Sequence, residues 1–542
     1  MWQNKKFLII DDFNTEVSIV RTMLNDAHIK NDDIDNTSDS MKAIRLLASH
    51  KYDVVLCDYN MNHHIDGGLI FDEIKQRKLM SSSAVFICIS GDNSEAVVTH
   101  LIELELDDFI LKPFCFSTLI KRIKKVVSRK TVLSTLLEAV EEKKYELGLD
   151  LCANFKEIYP EYGGYIDRIH GDCLLRLKRH KAARRFYEKV CENTRDIWPQ
   201  IGLAQSLQGL GDIDEAEFVF SNILAKYPKQ PLARKGVAHC LMEKEEISQA
   251  LVQFNILHKI NPANPLRELV IANLYAAIQE YKKAAVGYDK FVMKVAGTNR
   301  YNHGIAVSVS VSLLLASLYT DDNEERSDLL SEARNNLCDL SVSIVDSTLD
   351  VEIGFGILAC MEGDIKSCFL VANKIKKDIS EVTSFYTALN MAKLYSFCGM
   401  SSSYEKAVSQ ARNICGQTDD DVLMLSLVKL LESSSKVIKQ RYENGEKLIS
   451  KAFAHRQKNK ANLAISEAYQ AFFMVPFSVK SCLLILELTA LSTPSLLSTE
   501  KVLAIIESCW WVCSHNIRSS SDEKNRAKRL FNIASAKVLN AA

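Results

Sequence analysis

The stretch Val54-Val55-Leu56-Cys57-Asp58-Tyr59-Asn60-Met61 decides how the N-terminal part of this chain folds. Its first three residues are apolar without interruption, the pattern of a strand buried on both faces of a parallel sheet. The run ends on Asp58, and polar residues follow as a loop. In an open α/β sheet ligands bind outside the carboxyl ends of the strands, so a carboxylate there is placed to act as nucleophile or metal ligand. Taken alone, Asp58 reads first as an ordinary loop-opening aspartate. Its neighbours decide.

Phe7-Leu8-Ile9-Ile10 is a second apolar run, and it stops at Asp11-Asp12. Val17, Val20, Met23 and Leu24 follow at helical spacing. Ile34 marks a short strand, 41–48 and 69–75 read as helices, and 84–89 reads as a strand ending on Ser90-Gly91-Asp92. A helix over 95–104, a short strand over 109–111, Lys112-Pro113 and an amphipathic helix over 117–127 complete the segment. This alternation predicts a doubly wound, five-stranded parallel sheet. All strand ends then open on one edge, which brings Asp11, Asp12, Asp58, Ser90 and Lys112 together. Carboxylates sharing one cleft repel each other unless a hard cation lies between them, and Mg²⁺ suits a few oxygens with water and phosphate. A lysine and a hydroxyl beside them supply donors for phosphoryl oxygens. An aspartate nucleophile in such company is suited to accept phosphate as an acyl phosphate.

In order and spacing these groups resemble the receiver domain of two-component response regulators, the flavodoxin/CheY-like fold, over about the first 128 residues. The resemblance implies that Asp58 is the phosphoacceptor, with a sensor histidine kinase as donor. It implies that Asp11 and Asp12 bind Mg²⁺, directly or through water, together with Asp58 and the backbone carbonyl of Asn60. Ser90 and Lys112 would contact the phosphoryl oxygens, Phe109 would be the aromatic switch, and Lys112–Pro113 would be a cis peptide. Asn60 and Asp92 flank the pocket as in receivers that lose phosphate quickly, which implies a modest phosphoryl lifetime. Two features depart from the family. The loop from Asn60 to Gly67 lacks the usual proline shortly after its methionine, and it carries His63-His64. Adjacent residues seldom point at one site, so the pair reads as polar loop. Phe109 stands where many receivers have tyrosine; it retains an aromatic body and has no polar tip.

The segment 117–130 carries Lys121, Arg122, Lys124, Lys125, Arg129 and Lys130. A solvated face is the favoured reading, because the whole chain carries a formal charge of only -1 and no aromatics interleave. A DNA-contacting stripe, or pairing with Glu103 and Glu105 across a receiver homodimer, stands beside it.

Beyond the receiver the chain repeats. Ala182, Ala216, Ala250 and Ala284 recur every 34 residues, each followed four residues later by an aromatic: Phe186, Phe220, Phe254 and Tyr288. Thirteen residues before each alanine stands Ile169, Leu203, Val237 or Ile271. A small residue comes next in three units (Ala204, Ala238, Ala272), while His170 breaks the pattern. Such a period holds two helices and two turns, with small residues where the helices cross and an aromatic filling the next groove. Gly211-Asp212 supplies a turn, and Pro228 and Pro262 end the second helix of their units. The pattern resembles the tetratricopeptide repeat (TPR), with about five units over 129–298. That resemblance implies a concave groove for a partner protein.

Over 299–542 helical stretches continue as a degenerate TPR-like region, with Met361-Glu362-Gly363-Asp364 repeating the earlier turn chemistry. A break is expected at 433–435 before a long charged helix to about Gln457, and a loose linker over 518–529. Twenty glycines and nine prolines in 542 residues favour a helix-rich chain. The fifteen scattered cysteines form no CxxC pair, and Cys509 with Cys513 alone does not make a zinc site. No stretch has the length of a membrane span, so the chain is expected to be cytoplasmic. The expectation is a response regulator, not an enzyme beyond receiver chemistry, whose output is protein binding by the TPR groove. The alternatives are a phosphate sink or antagonist of a kinase, and a transcriptional regulator with its DNA-binding element in 299–542.

Overall fold

The computed structural model describes residues 5–61, 65–343, 348–492, 498–516 and 519–541. Five strands, β1 (Phe7–Ile10), β2 (Ile34–Thr37), β3 (Val54–Asp58), β4 (Val85–Ser90) and β5 (Asp108–Leu111), form one sheet in the order 2-1-3-4-5. All its pairings are parallel. Every residue of β1, β3 and β4 is buried, as expected for inner strands covered on both faces. The helices are α1 (Asn14–Asp26), α2 (Ser40–Ser49), α3 (Gly67–Arg77), α4 (Glu95–Glu103) and α5 (Phe116–Val132). Ile9, Leu56 and Ile87 pack under α1 and α5, while Leu8, Val55 and Phe86 pack under α2, α3 and α4. This alternation of inward side chains gives the sheet two cores, one on each face. The pair His63-His64 lies outside the described residues.

Helix α5 extends to Val132, and its basic residues Arg122, Arg129 and Lys130 have partners in this chain. Arg122 Nε donates to Asp108 at 2.8 Å, the Arg129 guanidinium lies 4.2 Å from the Tyr165 ring centre, and buried Lys130 Nζ reaches Asp107 at 2.8 Å. These contacts take Arg122, Arg129 and Lys130 out of the solvated face, which Lys121, Lys124 and Lys125 keep. A lysine that is buried must be paired, and Lys130 is.

Helices then follow one another: α6 (Ser134–Glu141), α7 (Tyr145–Ile158), α8 (Gly163–Arg176), α9 (His180–Asn193), α10 (Ile197–Leu210), α11 (Ile213–Lys226), α12 (Pro231–Glu243) and α13 (Ile247–Ile260). Helices α8, α10, α12 and the next, Pro265–Ala277, begin at 163, 197, 231 and 265, a constant 34-residue step. Phe220 is buried against Gly236, where an added Cβ would lie 2.4 Å from its ring. Ala216, Ala250 and Ala284 are fully buried, and so, within a few per cent, are Phe254 and Tyr288.

The first of the four units corrects the count. Ala182 is exposed and Phe186 only partly buried; Ala183 and Tyr187 take the packing positions instead. Tyr187 sits between Gly171 and Gly202, where a Cβ would come within 2.4 and 2.2 Å of the ring. The small residue of this unit is therefore Gly171, one place after the His170 that broke the pattern. The unit is shifted by one residue throughout, because burial follows the crossing point and not the period. Ala183→Leu is expected to cost about 1–3 kcal/mol by overpacking, while Ala182→Leu stays within about 0.5 kcal/mol. Urea midpoints of the full chain check this pair.

The chain divides into two compact units. The first runs to Arg267 and takes in Lys294–Arg300; the second comprises Glu268–Met293 and Tyr301–Ala542. The second is helical throughout its described secondary structure. Gly363 takes the same left-handed conformation as Gly211 in the first unit (φ +95° and +85°), which an L side chain adopts only under strain. Two expectations fail. No break occurs at 433–435, where one helix spans Asp421–Gln457. Ser435 Oγ donates to the Leu431 carbonyl at 3.0 Å, so its hydroxyl is satisfied on the helix and does not compete with it. The polar segment over 518–529 is largely the start of a helix, Ser521–Ala541, in which Phe531 stacks on Trp510. Cys509 and Cys513 are buried, and all fifteen cysteines are free thiols.

Candidate phosphoacceptor site

Parallel register sets the site. Ile10 lies opposite Cys57, and Asp58 opposite Ile89, so the ends of β1, β3 and β4 stand side by side. The β1/β3 boundary is where this strand order reverses, the place where such sheets open a ligand crevice. Asp11 and Asp58 are each only 5% exposed there. Lys112, at the end of β5, reaches across to both: its Nζ lies 2.9 Å from Asp58 Oδ1 and 3.2 Å from Asp11 Oδ2, with Glu16 at 3.6 Å. The Lys112–Pro113 peptide is cis. Asp12 is half-buried beside Asp11, and the side chain of Asn60 is exposed.

The backbone is tightly drawn around Asp58. Tyr59 N–H donates to the Ile89 carbonyl at 2.7 Å, and Gly67 N–H to the Tyr59 carbonyl at 3.0 Å. A Cβ on Gly67 would lie 2.5 Å from the Asp58 carbonyl oxygen, so this close approach requires glycine. Ser90 is buried; its hydroxyl donates to the Asp92 carbonyl at 3.0 Å and accepts from Asp92 N–H at 3.1 Å. The Asp92 carboxylate caps the next turn by accepting from Ser94 N–H at 2.7 Å. Phe109 is partly buried against the second core, opposite Cys88 on β4.

Burial pushes the Asp58 carboxyl above the usual carboxylate range and the Asp11 charge adds to this, while Lys112 and the Asn60 N–H pull the other way. For Lys112, burial lowers the ammonium pKa, but the hydrogen bond and charge of Asp58 and then Asp11 outweigh it and raise it. One ammonium here faces two buried carboxylates and Glu16, with the Ser90 hydroxyl at the neighbouring strand end, so the cluster is net acidic and suits an anion only where a cation offsets the excess negative charge. Among the described residues no group of three or more His, Cys, Asp or Glu side chains stands in metal-holding geometry. The site does place two buried carboxylates side by side, a donor set that suits Mg²⁺, which takes one or two carboxylates and leaves its other positions to water and phosphate. Sequence reasoning missed Tyr59 and His100, whose buried hydrogen bond of 2.7 Å joins the residue after Asp58 to α4. A single buried histidine on an apolar helix face gives no sequence signal of such a partner.

The fold and this pocket define a receiver-type domain. The family model described as response regulator receiver domain matches residues 7–124. The chemotaxis protein CheY-3 of Vibrio cholerae serotype O1 is 26% identical over 127 residues, 23% of this chain and 95% of that protein. The alkaline phosphatase synthesis transcriptional regulatory protein PhoP of Bacillus subtilis is 26% identical over 186 residues, 33% of this chain and 73% of that protein. Among solved structures, chemotaxis protein CheY4 of Vibrio cholerae is 20% identical, covering 22% of this chain and 98% of that one, with a TM-score of 0.21. The N-terminal part of this chain is thus a CheY-like receiver domain of the two-component response-regulator kind. Among the described residues no helix is long and apolar enough to cross a membrane.

Proposed function

We propose that this chain is a response regulator in which Asp58 accepts a phosphoryl group from a sensor histidine kinase, and that its helical units, of TPR type, bind a partner protein in response. The observation that carries the reading is the buried Asp58–Lys112–Asp11 cluster at the strand ends. In the reaction an ionised Asp58 oxygen attacks phosphorus, the P–N bond to the kinase histidine breaks, and its electron pair stays on the imidazole nitrogen. Lys112 Nζ and Ser90 Oγ then hold phosphoryl oxygens, each giving up a bond it now makes within the chain. Asp11, Asp12, Asp58 and the Asn60 carbonyl would hold Mg²⁺, which when bound supplies positive charge against the phosphoryl oxygens. Phe109 responds to Ser90 at the neighbouring strand end, and Asn60 and Asp92 tune the loss of the phosphoryl group. The free thiols accord with a reducing, cytoplasmic setting.

Because Asp58 sits above the usual carboxylate range, its nucleophilic form is lost early as pH falls. Labelling by a small acyl phosphate is expected to decline through that raised value. In Lys112→Met the decline moves to still higher pH, because the ammonium that opposes protonation is gone. A pH series of initial labelling rates reads both. The output is tested by affinity capture with the wild type, Asp58→Ala, and the wild type carrying beryllofluoride. A partner whose recovery differs among the three supports the reading, and recoveries identical in all three overturn phosphorylation-controlled binding.

A further inference from the structure

Three thiols of the second compact unit meet at one point. Cys368 lies in the first turn of the helix Ile365–Lys374, and Cys398 closes the end of the helix Phe385–Phe397. Their sulfurs are 3.4 Å apart, a thiol–thiol hydrogen bond. Cys360, in the last turn of the helix Thr348–Glu362, bonds Cys368 as well. Cys360 and Cys368 are 1% and 0% exposed and Cys398 is 6% exposed, so water reaches the cluster chiefly at Cys398.

A disulfide holds its sulfurs at about 2.05 Å, which leaves this pair about 1.4 Å to close. The two helix positions differ in how firmly they are held. Cys368 N–H donates to the Asp364 carbonyl, and Asp364 caps that helix by accepting from Ser367 N–H at 3.0 Å. Cys398 stands where its helix stops: Met400 N–H donates back to the Tyr395 carbonyl at 3.0 Å, and Gly399 turns the chain at φ +66°. The thiols also differ in chemistry. The Cys360 and Cys398 thiols, and burial after them, hold Cys368 well above the ordinary thiol range, so Cys368 keeps its proton and donates it to Cys398 Sγ. A thiolate forming on Cys398 is stabilised by that bond, which makes Cys398 the nucleophile of the pair.

We propose that Cys398 and Cys368 are an oxidation site, which closes to a disulfide when the protein meets hydrogen peroxide. The Cys398 sulfur attacks one peroxide oxygen and the O–O bond breaks. The departing hydroxide takes up the thiol proton and leaves as water, with a sulfenic acid on Cys398. The Cys368 sulfur then attacks the Cys398 sulfur, the S–O bond breaks, and the Cys368 proton goes to the second departing hydroxide. Two thiols and one peroxide thus give one disulfide and two waters. The bridge joins residues 30 apart in the chain and ties the helix Ile365–Lys374 to the end of Phe385–Phe397. Closing that loop restricts the unfolded chain, so the oxidised unit resists unfolding better than the reduced one. The site lies wholly in the second unit and does not depend on the phosphoacceptor reading.

The test exposes the folded full chain to hydrogen peroxide, blocks the remaining thiols in denaturant, and maps unreduced peptides by mass spectrometry. Cys115 is the internal standard: it is exposed, and hydrogen bonds from Ser117 and Thr118 bring its pKa down to about 7. At a dose that consumes Cys115, a linked Cys368–Cys398 peptide is expected as the main intramolecular disulfide. It should vanish on reduction and be absent from Cys398→Ala. Oxidation is expected to raise the urea midpoint of the wild type and to leave that of Cys398→Ala where it was. Cys368 linked instead to Cys360, or thiols at 368 and 398 still open to the blocking reagent once Cys115 is consumed, overturns the proposal. Should Cys398→Ala fail to fold, the peptide map of the wild type decides the matter alone.

Discussion

Asp58→Asn is expected to abolish acyl phosphate formation in the full chain. Incubated with a small acyl phosphate and Mg²⁺, the wild type should gain the mass of one phosphoryl group and the variant none. The reason is chemical: an amide offers no ionised oxygen to attack phosphorus, although it occupies nearly the same volume. The fold is expected to survive the change. Lys112 keeps Asp11 at 3.2 Å, so its ammonium is not stranded, and one buried carboxylate that sits above its ordinary range is removed. Circular dichroism and a urea melt separate loss of the nucleophile from loss of structure. A phosphoryl group retained by Asp58→Asn would move the acceptor to another residue and overturn the assignment.

Phe220→Ala is expected to destabilise the helical units by about 3–5 kcal/mol. Its ring is 1% exposed and fills the space left by Gly236 on the next helix, so no neighbouring side chain stands ready to refill it. The control lies two residues away. Phe218 is 68% exposed on the same helix, and Phe218→Ala should stay within about 0.5 kcal/mol. Amide exchange over 213–243 localises the effect: rapid exchange confined to α11 and α12 is expected for Phe220→Ala. Equal effects of the two substitutions would contradict the packing described for this unit.

The receiver was legible because its chemistry and its pattern coincide. Asp11, Asp58, Ser90 and Lys112 each follow an apolar run, and a parallel sheet has one edge on which such runs can end. The 34-residue step was legible for a similar reason, since helix starts at 197, 231 and 265 follow the repeat. In the unit beginning at Gly163 the sequence misled by one residue. Ala182 and Ala183 are both alanines, and Phe186 and Tyr187 both aromatics, so composition could not choose between them. The unbroken helix over Asp421–Gln457 was missed because serines read as breakers when their hydroxyls can bond back within the helix.

By itself the sequence determined the α/β order of the first domain, the residues gathered at its strand ends, and the helical repeat that follows. These depend on local periodicity and on the identity of chemically distinctive side chains, both visible in one dimension. Only the tertiary structure decided which charges meet. Glu103 and Arg267 pair although they are 164 residues apart, and neither stands in a motif. Ion pairs between distant elements are set by how those elements dock, and surface charges look alike in a sequence until burial selects the few that must be paired. The stretch that ends in Asp58 could thus be read directly, whereas the bond from Tyr59 beside it to His100 on α4 could not.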